Sequence, residues 1–129
     1  MPGGDDKVKV LLVEDNQMNK ILVREILTLN GYDIVEAGSG TEALKVLTTQ
    51  KPDLILMDLH LPGMDGVTAT RIIKADEANR NIPVLALTAS AMKGEEDHIL
   101  GKGFDGYVAK PIEVKKLLEA ITTNLGKRA

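Results

Sequence analysis

A chain of 129 residues has the length of one domain, and with 43% apolar and 27% charged residues it has the composition of a folded one, which excludes disordered and fibrous classes. A net charge of −3 without a basic block argues against direct nucleic-acid binding, and the lack of cysteine excludes disulfides, thiolate metal sites and a cysteine nucleophile. No apolar run reaches the roughly 18 residues of a membrane span and Met1 to Lys9 lacks a secretory leader, so a cytoplasmic protein without membrane contact is expected. One Phe, two Tyr and no Trp leave little surface for stacking on bases or flavins, which favours a small polar ligand.

In chain order, Val8 to Val13 is an almost unbroken apolar run of the kind that forms a strand buried on both faces. Met18, Ile21, Leu22, Ile26 and Leu29 then follow a helical stripe, and Asn30-Gly31 supplies its stop. A short strand fits Asp33 to Ala37, and Ala43, Leu44, Val46 and Leu47 make a second helical stripe ending before Pro52. Leu54 to Met57 and Val84 to Leu87 are further buried strands, with a less regular helix over Val67 to Lys74 between them. A helix over Lys93 to Lys102, a strand over Gly106 to Val108 and a final helix complete the pattern. That last helix has Val114, Leu117, Leu118, Ile121 and Leu125 on one face and Lys115, Lys116 and Glu119 on the other.

Five β-α units in strict alternation imply a doubly wound parallel sheet, because each parallel crossover needs a helix. The expected fold class is therefore α/β, a three-layer sandwich filling one domain over 1–129. In such sheets ligands bind beyond the carboxyl ends of the strands. Glu14 and Asp15 follow the first strand, Asp58 follows the third, Thr88 ends the fourth, and the fifth leads to Lys110. Crowded carboxylates repel one another, which raised pKa values or a bound cation relieves, and an all-oxygen set suits a hard cation such as Mg²⁺, which keeps waters and room for a phosphate oxygen. Lys110 would add a positive charge and Thr88 a hydroxyl, so the set reads as a phosphoryl-transfer centre with a carboxylate acceptor.

Four motifs in order carry a resemblance: V-E-D-N at Glu14, L-M-D-L-H-L-P-G-M-D-G around Asp58, A-L-T-A-S at Thr88 and Y-V-A-K-P at Lys110. Together they resemble the receiver domain of two-component response regulators, from Lys7 to Leu125. The resemblance implies a flavodoxin-like strand order 2-1-3-4-5 and a phosphorylation switch acting through protein contacts, not a true enzyme. Asp58 would accept a phosphoryl group from a histidine kinase or histidine phosphotransfer protein. Glu14, Asp15, Asp58 and the backbone carbonyl of His60 would arrange Mg²⁺, with Mn²⁺ or Ca²⁺ as substitutes. Thr88 and Lys110 would contact the phosphoryl group and Tyr107 would answer the Thr88 switch, signalling to a downstream protein target. Further implications are a cis bond at Lys110-Pro111 and side chains of His60 and Ser90 flanking the path of hydrolytic water. The best matches in type are receivers of hybrid kinases and stand-alone regulators.

Each residue also has a plainer reading. Asp15 or Asn16 could cap the following helix, Thr88 could be strand filler, Lys110 a surface lysine and Tyr107 edge-strand packing. His60 and His98 have no companions at metal-ligand spacing, and Gly63 and Gly66 suit the backbone needs of the loop after Asp58. A flavodoxin-like cofactor binder would need a hydroxyl- and glycine-rich loop where E-D-N-Q-M-N stands. An aspartyl-phosphate hydrolase would need an acid where His60 stands, and a pseudo-receiver would not need the full acidic, Thr and Lys set.

Overall fold

The computed structural model describes residues 7–89 and 99–126. Five strands form one parallel sheet in the order β2-β1-β3-β4-β5: β1 Lys9–Val13, β2 Asp33–Ala37, β3 Leu54–Asp58, β4 Val84–Thr88 and β5 Gly106–Ala109. Among the described residues four helices flank it: α1 Gln17–Leu29, α2 Gly40–Val46, α3 Gly66–Ala75 and α4 Val114–Leu125. The helix expected over Lys93 to Lys102 lies largely outside the described residues, as do Ser90 and His98, although Ile99 and Leu100 are helical. No helix among the described residues is long and apolar enough to cross a membrane.

Strands β3 and β4 are buried at every position, as unbroken apolar runs require in a sheet covered on both sides. On one face, Val10, Leu12, Leu54, Leu56, Leu85, Leu87 and Val108 pack against α1 and α4. On the other, Leu11, Val13, Ile55, Met57, Val84 and Ala86 pack against α2 and α3. These are the three expected layers.

Helix α1 differs from the expected packing. Its core-facing residues are Val23, Ile26 and Leu27, whereas Met18 is 75% and Leu29 85% exposed and Ile21 and Leu22 are also at the surface. The segment carries two overlapping apolar stripes, and the one that reaches β1 and β3 is the one spaced to meet the α4 residues Leu117 and Ile121. In α4, Val114 is exposed instead of packed, and Asn124 takes a buried position. The stop of α1 is as expected: Asn30 caps its last turn and Gly31 takes a φ of 85°, a conformation glycine adopts without strain.

Strand β3 runs one residue further than its apolar run, so Asp58 is the last residue of a strand and not the first of a loop, while Thr88 ends β4 as expected. Both are therefore held by sheet pairing, Asp58 opposite Leu87 and Thr88 opposite Ala109.

Candidate phosphoacceptor and metal site

The carboxyl ends of β1, β3, β4 and β5 converge on one edge of the sheet. Glu14 continues β1, its N–H donating to the Ala37 carbonyl at 3.0 Å, which drives its side chain into the sheet edge with no exposed surface. Asp15 then points to solvent. Asn16 is the N-cap of α1, accepting from the Asn19 N–H at 3.0 Å, so the capping role falls to Asn16 and leaves Asp15 available. Carboxylate oxygens of Glu14, Asp15 and Asp58 lie within 4.8 Å of one another.

Asp58 is 4% exposed, and its Oδ1 accepts a 3.1 Å hydrogen bond from the His60 N–H. Lys110 spans the two buried acids: its Nζ lies 3.1 Å from Glu14 Oε1 and 3.3 Å from Asp58 Oδ2. The Lys110 backbone is tied to β4 by its N–H, which donates to the Thr88 carbonyl at 2.8 Å, and the Lys110-Pro111 bond is cis as expected. Thr88 is buried at the same edge. Tyr107, half-buried, packs against the α2/α3 face. His60 has an exposed side chain and enters through its backbone.

Burial, and next the hydrogen bond with Asp58, raise the Glu14 carboxyl above its ordinary value, against the lowering pull of the Asn16 N–H and Lys110. Burial by itself would lower the Lys110 ammonium, yet its bond to Glu14 and the charges of Asp58 and Glu14 outweigh that and raise it. Lys110 is thus a fixed cation, but one positive charge faces three carboxylates. Glu14 Oε1 is buried, and beyond its ion pair with the Lys110 ammonium it has no aligned hydrogen bond among the described residues. The donors suit Mg²⁺ in kind: all are hard oxygens, one from each acid is grouped within 4.8 Å of the others, and exposed Asp15 keeps the site open to water. Asp15, Asp58 and the His60 carbonyl would hold such an ion, with Glu14 behind them.

The sequence reading missed the backbone supports of this site, the His60 N–H on Asp58 and the Asn16 N–H on Glu14 Oε2 at 3.1 Å. Main-chain donors leave no side-chain signal. Gly63, with φ at 71°, and Gly66, pressed against the Asp58 carbonyl, do serve the loop backbone.

A doubly wound α/β domain with an acidic, lysine-bridged pocket at the strand ends is the class defined by this fold and edge. Residues 10–122 match the response regulator receiver domain, and the chain belongs to that family of two-component signalling proteins. It is 44% identical over 117 residues to the polar-differentiation response regulator DivK of Brucella ovis, covering 91% of this chain and 95% of that one. The receiver domain of the sensor histidine kinase PA1611 from Pseudomonas aeruginosa, solved with a magnesium ion in its active-site cleft, is 37% identical with a TM-score of 0.85, covering 93% of this chain and 98% of that one. A response regulator from Chloroflexus aurantiacus superposes with a TM-score of 0.89 at 28% identity, covering 94% and 99%.

Proposed function

We propose that this chain is a single receiver domain, with its core over 7–125, that is phosphorylated on Asp58 by a histidine kinase or histidine phosphotransfer protein in the presence of Mg²⁺. The observation that carries the reading is Asp58 itself: a strand-end carboxylate, paired with Lys110 at 3.3 Å and grouped with Glu14 and Asp15. An Asp58 oxygen forms the new P–O bond as the P–N bond of the donor phosphoimidazole breaks, and the imidazole keeps the electron pair and takes a proton. Lys110 holds its charge beside the acceptor, where the phosphoryl oxygens arrive, and Thr88 offers a hydroxyl at the same edge. Mg²⁺, when bound, supplies charge neutralisation for those oxygens. The phosphorylated state is then a signal read by a protein target, as membership of the response-regulator family supports.

Incubation with Mg²⁺ and a small phosphodonor should place one acid-labile phosphate on the protein, and Asp58→Asn should abolish it. Acid-stable phosphate, or undiminished uptake by the variant, would overturn the assignment, since an acyl phosphate hydrolyses readily and a phosphoserine does not.

A further inference from the structure

The loop from Leu59 to Asp65 is pressed against Asp58 by two buried glycines on two helices. Gly66 is the first residue of α3, and a Cβ there would stand 2.2 Å from the Asp58 carbonyl oxygen and 3.0 Å from both the Asp58 carbonyl carbon and Leu59 Cα. Those neighbours are backbone, and Asp58 belongs to a strand flanked by β1 and β4, so the strand cannot retreat. Gly40, the first residue of α2, lies under the same loop: a Cβ there would meet the Met64 carbonyl oxygen at 3.1 Å and Met64 Cβ and Ala69 Cβ at 3.3 Å. Gly66 has a helical backbone, where alanine is the better helix former, so its lack of a side chain answers to the contact with Asp58 and not to helix propensity.

The loop is closed at both ends beside the acceptor. The Gly66 N–H donates to the Leu59 carbonyl at 3.2 Å, and the His60 N–H donates to Asp58 Oδ1 at 3.1 Å. Whatever sets the height of α3 over Asp58 therefore also sets where the His60 backbone sits. We propose that Gly66, backed by Gly40, is a positioning residue of the phosphoacceptor site: by bringing α3 into contact with the Asp58 backbone, it sets the place of the His60 carbonyl relative to the Asp58 carboxylate. The inference rests on the phosphoacceptor reading of Asp58. A methyl group at Gly66 has to lift the first turn of α3 and the loop by about 1 Å, a displacement that lowers rates by up to about a hundredfold at well-ordered sites.

The test compares wild type, Gly66→Ala, Gly40→Ala and, as a control for stability alone, Ile73→Ala in the core of α3. Each is measured for its Mg²⁺ dissociation constant, its phosphorylation rate by a small phosphodonor at saturating Mg²⁺, and its thermal unfolding. Gly66→Ala should raise the constant and slow phosphorylation, each at least tenfold. Gly40→Ala should shift both about threefold in the same direction, and Ile73→Ala should lose stability while keeping both within twofold. A folded Gly66→Ala with wild-type values overturns the proposal, as does an Ile73→Ala that loses as much. If Gly66→Ala does not fold, Gly40→Ala decides, and wild-type values there overturn it. A wild type that takes up no phosphate defeats the reading of Asp58, while the Mg²⁺ constants of the set still judge Gly66.

Discussion

Burial and the neighbouring Asp58 raise the Glu14 pKa, so the folded protein binds that proton more tightly than the unfolded chain does. From the ordinary value of 4.5 up to the raised value, this group therefore removes stability as pH rises, the reverse of a carboxylate stabilised by its partners. In metal-free buffer, Glu14→Gln should unfold at a higher temperature than wild type at pH 7, and the gap should close as pH falls toward 4.5. A gap that widens on acidification would show that ionised Glu14 stabilises the fold through Lys110. Thr70, buried in α3, carries a second strained polar group, because its hydroxyl is enclosed without a hydrogen-bond partner among the described residues. Thr70→Val keeps the shape, and removing an unpaired buried hydroxyl should raise stability by about 1 kcal/mol. Chemical denaturation checks this, and a loss of stability would mean that the hydroxyl is satisfied in solution.

Helix α1 shows what periodicity can and cannot specify. The segment from Gln17 to Leu29 is legible as a helix, with its stop at Asn30-Gly31, because spacing and capping are local properties of the chain. Which of its two apolar stripes faces inward depends on where β1, β3 and α4 stand, and that is settled only by the assembled sheet. The same limit explains Gly66: a glycine opening a helix has many uses, and its contact with the Asp58 carbonyl exists only once β3 and α3 are packed. The acidic residues, Thr88 and Lys110 could be placed at one edge beforehand, since the winding of a parallel sheet alone brings strand ends together. The stripe left outside on α1 begins at Met18, close in the chain to Asp15 of the acidic pair, which makes it a candidate docking surface for a protein donor to Asp58. Met18→Glu with Leu22→Glu should slow phosphotransfer from a protein donor at least tenfold and leave uptake from a small phosphodonor unchanged. Leu29 lies about 16 Å further along the helix, so Leu29→Glu should have a much smaller effect. Equal losses for both donors would place the fault in the site and not in docking.

Across the whole molecule, under the phosphoacceptor reading, a signal at Asp58 would have the neighbouring strands as one way out. Side chains alternate between faces, and Ala86 pairs with Tyr107 while Thr88 pairs with Ala109, so Thr88 and Tyr107 lie diagonally on one face of adjacent strands. The residues completing that square, Ala86 and Ala109, are small. A phosphoryl group on Asp58 would draw the Thr88 hydroxyl toward it, vacate volume on the Tyr107 side and reshape the surface around β5 and α4 that a partner reads. The charge that meets the phosphoryl oxygens comes from Lys110 and the acidic cluster, whereas Thr88 offers a neutral hydroxyl, so acceptance and transmission should separate. Thr88→Ala is expected to leave the extent of phosphorylation nearly unchanged and to reduce the phosphorylation-dependent gain in partner affinity severalfold, a direct measure of the coupling free energy between Asp58 and the output surface. Binding of the phosphorylated and unphosphorylated forms of both proteins, compared by titration, decides it: an affinity gain of wild-type size in Thr88→Ala would mean that the signal leaves Asp58 by another route, through the loop from Leu59 to Asp65 or through Lys110, both tied directly to its carboxylate.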